Sequence, residues 1–258
     1  MAIDTDFHNH VSYTSADKMV QTAKHKGLRI LGLSEHVFQM CEARPVLPHM
    51  PQEGPDLSFA TYITAVQEAA ERHHFDVRLG LEVDFIPQKN EPIQEAIKGY
   101  PWDYLIGSVH EVDGLLFERV NAPEREQGEV LWLRYFDLLR QAVCSGYFSV
   151  VSHPVRMYTM NPHLPSTFDQ ELEQLAAEAA RCNVALEING SDVLEYPVVV
   201  RRLIAACALY HTPMSCGSDA HYPIKIAQAH QQSETMLREA GIHKIRIWRQ
   251  REVEEYEV

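Results

Sequence analysis

Seven short apolar runs, each followed by a longer stretch with helical periodicity, constrain this chain more than any other feature. The runs at 3–8, 29–33, 76–83, 104–109, 148–152, 184–188 and 213–216 predict strands. The stretches at 17–26, 59–73, 91–98, 123–145, 167–181, 197–210 and 224–240 predict helices. Gly27 and Gly146 follow two of these helices as plausible ends. Asp113-Gly114 and Asn189-Gly190 read as turns, and 245–248 as an extra edge strand before a charged tail. Strands alternating with helices imply a parallel sheet with the helices outside. Seven such units in 258 residues predict one α/β domain over 1–258, a distorted (β/α)7 barrel. A doubly wound open sheet is the alternative. Between the second strand and the next helix, 37–58 carries Pro45, Pro48, Pro51 and Pro55 and reads as a long loop. Loops of that length in compact domains often bind ligands or cover sites.

The polar residues fall at one level of this pattern. His8 and His10 lie two apart at the end of the first strand, so they face the same way. His36, His110, His153 and His221 lie at or just beyond the ends of four other strands, and Glu82 and Asp219 occupy the same layer. In a (β/α) barrel the carboxyl ends of the strands form one face, where active sites are built. Eight metal-capable side chains around one rim exceed what a single zinc takes, about four. They suit two or three divalent transition metals, zinc, manganese or iron, with Glu82 the natural bridging carboxylate. Asp219-Ala220-His221 repeats the same-side spacing, and Gly217 before it leaves room for close backbone approach.

Charge narrows the partners. With 23 Lys and Arg against 36 Asp and Glu, the net charge is −13, which disfavours extended nucleic acid. A small anionic substrate remains compatible, because bound metal reverses the local sign. The five cysteines, Cys41, Cys144, Cys182, Cys207 and Cys216, show no C-x-x-C pairing. Together with the absence of a signal-like start or an apolar run of about 18 residues, this predicts a cytoplasmic protein that does not enter a membrane. Oligomeric state is not legible.

His8-Asn9-His10, Ser34-Glu35-His36, Gly107-Ser108-Val109-His110, His153-Pro154 and Gly217-Ser218-Asp219-Ala220-His221 follow one another in an order and spacing that resemble the polymerase and histidinol phosphatase (PHP) family. Gly107 to Gly114 and the late Gly-Ser-Asp-Ala-His look most like its histidinol-phosphatase branch. The resemblance implies a seven-stranded barrel and a trinuclear metal centre that hydrolyses phosphate esters. It assigns His8, His10, Glu82 and Asp219 to one metal, and Glu82, His110 and His153 to a second. His36 and His221 go to the third, with one more ligand after His10. That ligand is the point of departure: Ser15 and Ala16 stand where the family often has histidine or aspartate. Asp17 is the first candidate, and it reads equally as a helix cap.

The expected reaction is hydrolysis of a small phosphate monoester, with L-histidinol phosphate favoured by resemblance. A phosphoesterase acting on nucleotides or nucleic acid is the alternative. Asp219 and Glu82 are the catalytic candidates, Asp219 as metal ligand and proton acceptor from water. A phosphate also wants arginine, whose planar fork matches its oxygens. Arg156, three residues after His153, is the first choice, with Arg119, Arg44 and His49 behind it. Glu35 is a possible acceptor behind a ligand imidazole. Lys225 and His211 have only proximity in their favour. His25, His73, His74, His163, His230 and His243 read as ordinary surface residues.

Overall fold

The computed structural model describes residues 3–51, 56–116 and 124–258. Seven parallel strands form one sheet: β1 (Thr5–Asp6), β2 (Ile30–His36), β3 (Asp76–Asp84), β4 (Tyr104–Ser108), β7 (Val150–Val151), β8 (Ala185–Asn189) and β9 (Met214–Gly217). Their spatial order follows the sequence, β1-β2-β3-β4-β7-β8-β9. A doubly wound sheet would reverse direction at a switch point. Here the order never reverses, and the edges meet. Phe7 N–H donates to Cys216 O (3.0 Å), Asp219 N–H to His8 O (2.8 Å) and His10 N–H to Ala220 O (2.9 Å). The sheet is a nearly closed barrel.

The strand predicted at 3–8 is thus only two residues of ladder, because the segment beyond Asp6 pairs across the seam instead. The helices α1 (Ala16–His25), α2 (Phe59–His73), α3 (Asn90–Ile97), α4 (Arg125–Cys144), α5 (Phe168–Cys182), α7 (Pro197–Leu209) and α8 (His230–Glu239) match the periodic stretches to within a few residues, α8 starting later than expected. Asn189-Gly190 is not a turn. The Asn189 side chain accepts from Ser191 and Asp192 N–H and starts a short helix, α6 (Gly190–Glu195). The 37–58 loop opens with a 3-10 turn, Val37–Gln39, and is pinned by a bridge between Met40 and Leu57. Asp113-Gly114 turns a small hairpin of β5 (Glu111–Val112) and β6 (Leu115–Leu116).

The charged tail is ordered. β10 (Lys244–Arg249) pairs antiparallel with β11 (Glu252–Glu257), a separate two-stranded sheet rather than an edge of the barrel. Ile247 and Trp248 of β10 pack with Phe7, Ile30, Tyr104, Ile106, Val150 and Ala185, closing the amino-terminal end of the barrel. The ring of Tyr104 crosses this interior and its hydroxyl donates to Phe7 O (2.8 Å). Gly32 and Gly80 make room for it: a Cβ on either would lie 2.3 Å from a Tyr104 side-chain atom. The polar rim therefore sits above a filled apolar plug, at the other end. His230 departs from its surface reading: it is buried on α8, with Nε2 2.9 Å from Thr5 O.

Candidate metal centre

Glu82 sits at the middle of the rim. It lies opposite His36 in the β2–β3 register and is almost wholly buried. Its two oxygens face different histidines. Oε2 lies 2.6 Å from His36 Nδ1, 3.3 Å from His8 Nε2 and 3.6 Å from His10 Nε2. Oε1 lies 3.1 Å from His153 Nε2 and 3.4 Å from His110 Nε2, and accepts from Ser108 Oγ (2.6 Å). Asp219 Oδ1 approaches the first set, 3.2 Å from His10 Nε2 and 3.8 Å from His8 Nε2. His221 completes the rim, its ring 4.2 Å from that of His10.

Carboxylates behind the rim orient the imidazoles. His8 Nδ1 donates to Glu187 Oε1 (2.7 Å), which leaves Nε2 bare toward Glu82. His110 Nδ1 donates to Asp84 Oδ1 (2.7 Å) and likewise frees Nε2. His10 Nδ1 lies 3.4 Å from Glu35 Oε1, whose other oxygen accepts from Val11 and Ser12 N–H, both at 2.7 Å. Glu35 thus stands behind a rim imidazole, where an acceptor was expected. Histidines that bind metal are held this way, with the far nitrogen on a carboxylate. Glu187 also accepts from His153 N–H (2.8 Å), tying two rim positions together. Glu187 and Asp84 were not singled out from sequence: Glu187 lies inside the apolar strand β8, where an acid was the available signal, and Asp84 is the last residue of β3, one past the predicted strand.

The backbone bends to present two of these groups. His153 has φ 30° and Asp219 φ 55°, left-handed values uncommon for residues other than glycine. Gly217 permits the seam there: a Cβ would lie 2.4 Å from both Glu187 Oε1 and His8 Cβ.

Charge balance tests whether cations fit. Burial alone would neutralise Glu82 and Asp219, yet both are held well below the ordinary carboxylate range, Glu82 by His36, His8 and His110, and Asp219 by His8, Arg156 and His10. Burial likewise opposes charge on His8, His10 and His110, yet neighbouring carboxylates raise all three, His10 to about 9. His221 goes the other way, to about 3, through burial and the charge of His10. These carboxylates require positive charge beside them. Protons can supply it, and so can divalent cations that replace those protons. His8 Nε2, His36 Nδ1, His153 Nδ1 and Glu82 Oε2 are buried and make no hydrogen bond of good geometry, close though His36 Nδ1 and Glu82 Oε2 lie, an arrangement costly unless something else binds there. At the rim, three groups have donor atoms close enough to share an ion: His8, His10 and Glu82; His36, Glu82 and His110; and His10, His36 and His221. The residues present fit a multinuclear metal site.

One predicted ligand and two predicted anion binders are elsewhere. Asp17 lies in the first turn of α1, where its carboxylate accepts from Arg72 (2.6 Å) and lies 3.0 Å from His73 Nε2, so the helix pairing holds it away from the rim. Nor does it cap α1, which Ser15 does. His10 stands with His36 and His221 where Asp17 was expected. Arg44 pairs with Asp56 (2.6 Å) within the long loop and does not reach the cavity. His49 is held by Glu111 (2.6 Å). Arg119 lies outside the described residues. Arg156 is at the rim, as expected, and its guanidinium donates to Asp219 Oδ2 (2.8 Å), Asn189 Oδ1 (2.9 Å) and Asp192 Oδ1 (2.5 Å).

The rim forms the floor of a cavity of about 310 Å3. Tyr13, Phe38, Met50, Thr159, Ser191 and Glu195 are among the residues that line it.

This geometry can be set beside known proteins. The PHP domain family model matches residues 5–191, more than half of the chain. The chain belongs to the PHP domain family. Among its relatives, a probable histidinol-phosphatase of Deinococcus radiodurans is 29% identical over 194 residues, covering 70% of this chain and 72% of that protein. A probable phosphatase of Vibrio cholerae serotype O1 is 24% identical over 258 residues, covering 96% of this chain and 88% of the other. The fold matches the crystal structure of histidinol phosphate phosphatase from Lactococcus lactis, complexed with zinc, L-histidinol and phosphate. The TM-score is 0.80 at 19% identity, over 98% of this chain and 99% of that one. A chain of archaeal ribonuclease P with mature tRNA shares the fold more loosely, with TM-score 0.54, 12% identity and coverage of 92% and 87%. The PHP barrel expected from the motifs is therefore the fold observed.

Proposed function

We propose that this PHP-family protein is a metal-dependent phosphatase acting on a small phosphate monoester, L-histidinol phosphate being the favoured substrate. The observation that carries this reading is Glu82, whose two oxygens face two separate sets of imidazoles, as a bridging carboxylate requires. His8, His10, Glu82 and Asp219 would hold one ion, Glu82, His110 and His153 a second, and His36 and His221 a third. Zinc is the first choice, as in the Lactococcus protein. Ions so held supply Lewis acidity to a phosphoryl oxygen and bring the pKa of water toward neutrality.

The chain's own residues supply the rest. Arg156 stands over the floor with its fork fixed by Asp192 and Asn189, ready to bind phosphate oxygens. Its bond to Asp219 keeps that carboxylate ionised and aimed at the rim, where it can accept a proton from the attacking water. Tyr13, Phe38 and Met50 give the leaving group an apolar wall that limits water. Glu195 is the carboxylate on the cavity wall away from the rim, and it favours a leaving alcohol that carries an ammonium group, as histidinol does.

The test is phosphate release, after zinc loading, from L-histidinol phosphate, para-nitrophenyl phosphate and a nucleotide panel. Histidinol phosphate should give the highest kcat/KM, and folded His110→Ala should lose turnover of every ester. Glu195→Gln should raise KM for histidinol phosphate while leaving that for the nitrophenyl ester, whose leaving group carries no ammonium, unchanged. Faster turnover of nucleotides would overturn the substrate, and no turnover of any ester at full metal occupancy would overturn the activity.

A further inference from the structure

A second cluster lies away from the rim, where α4 and α5 end side by side. Cys144 is the last residue of α4 and Cys182 the last of α5. Their Sγ atoms are 2.8 Å apart although 38 residues separate them in sequence. That is less than about 1 Å beyond the length of a disulfide bond. Both are free cysteines, Cys144 exposed and Cys182 half-buried, so solvent reaches the pair. Cys207 and Cys216, by contrast, are buried.

The surroundings are those of a reacting pair. The Cys144 thiol donates to Glu178 Oε2 (3.2 Å), and Arg181 Nη2 donates to Cys144 Sγ (3.2 Å). Glu178, Arg181 and Cys182 lie on one face of α5 at spacings of three and four. Partial burial, with Cys182 and Glu178 alongside, pushes the Cys144 thiol up to about 12. Glu178 holds the Cys144 proton in a hydrogen bond, which leaves Cys182 as the sulfur to react first. The same three donors, Cys144, Glu178 and Cys182, are close enough to share a soft cation. The Arg181 guanidinium against the Cys144 sulfur disfavours a cation there and can stabilise the negative charge that develops on that sulfur as its proton passes to Glu178.

We propose that Cys144 and Cys182 form a peroxide-responsive dithiol that closes reversibly into a disulfide and clamps α4 to α5. The Cys182 thiol loses its proton to solvent, and its sulfur attacks one oxygen of hydrogen peroxide. An S–O bond forms, the O–O bond breaks, and the departing hydroxide takes up a proton to leave as water. Cys182 then carries a sulfenic acid. Cys144 passes its proton to Glu178 while its sulfur attacks that of Cys182, with Arg181 stabilising the anionic sulfur. The S–S bond forms, the S–O bond breaks, and hydroxide leaves, taking the Glu178 proton as a second water. Two thiols lose two electrons, and one peroxide is reduced to two waters.

The experiment uses the full chain, reduced, desalted into chelator and treated with hydrogen peroxide. Digestion without reductant and mass spectrometry should find the peptides of Cys144 and Cys182 joined, two hydrogens lighter than their sum, and separated by dithiothreitol. The closed form should melt about 5 °C or more above the reduced one. In Cys144→Ser, Cys182 should carry a sulfenic acid trapped by dimedone; in Cys182→Ser, Cys144 should stay unmodified at the same dose. Unlinked thiols, separate over-oxidation of the two, or a linked form no more stable than the reduced one would overturn the proposal. So would thiols that added zinc protects and peroxide never joins.

Discussion

Glu187 shows how much of this site depends on a residue that faces no cavity. It holds His8 through Nδ1 (2.7 Å) and His153 through its backbone N–H (2.8 Å), so one side chain sets two rim positions. Outer carboxylates of this kind typically govern metal affinity by about 10–100-fold. Glu187→Gln is expected to weaken zinc binding by about that factor, and excess zinc should restore much of the activity; isothermal titration with zinc, followed by phosphate release, checks it. Unchanged zinc affinity would show that Glu187 is only a packing residue. Arg156 belongs at this scale too. It touches both the cavity and Asp219, so Arg156→Ala should raise KM at least about 10-fold and lower kcat as well. A fall in kcat with KM unchanged would mean that Arg156 acts only through Asp219. The rim histidines, Glu82 and Asp219 were legible as residues because each lies at or near a strand's end. Glu187 and Asp84 were not, because their role is defined by the histidine that each one holds, His8 and His110, on another segment.

At the scale of elements, the β10–β11 hairpin is attached by a buried arginine. Arg78 on β3 is 2% exposed. It donates to Asp76, Glu254 and the Trp248 carbonyl (2.7 Å). Removing it leaves the Trp248 carbonyl without that donor beside the plug of the barrel, and leaves Asp76 and Glu254 with Arg249 as their remaining cation, so Arg78→Ala should cost about 2 kcal/mol. The pH dependence has a defined sign. Burial would raise the Asp76 carboxyl, but Arg78 and Arg249 outweigh it and lower it. A lowered carboxyl contributes stability above its unfolded value, about 4, that is lost as pH falls through the folded one. The Tm gap between wild type and Arg78→Ala should therefore be steady above about pH 5 and narrow as pH falls below about 4; a constant gap would exclude the ion pair as its source. From sequence the tail was only charged, since the alternation of β11 places acids on an exposed face and buries little. The two-residue β1 was over-read for the opposite reason: its apolar run continues, but closure redirects its hydrogen bonds.

For the whole molecule, the acidic rim is the main consequence of closing the barrel. Glu35, Glu82, Asp84, Glu187 and Asp219 lie in one buried layer, where repulsion and desolvation oppose folding unless cations or protonated imidazoles stand among them. Chelation is expected to lower Tm by several degrees as well as to stop turnover, and zinc should restore both. Differential scanning calorimetry of chelated and reloaded protein is the measurement, and equal Tm values would mean that metal has no part in stability.

Periodicity and strand-end residues determine the order of strands and helices, the parallel sheet and the level at which the histidines emerge, because side-chain direction in a strand alternates and the crossover helices allow one handedness. Tertiary structure alone decides which nitrogen of each imidazole is bare, that Asp17 turns to α2, and that His10 stands with His36 and His221 instead. Those outcomes depend on distances between strands far apart in sequence, and spacing along the chain carries no information about distance across a closed barrel.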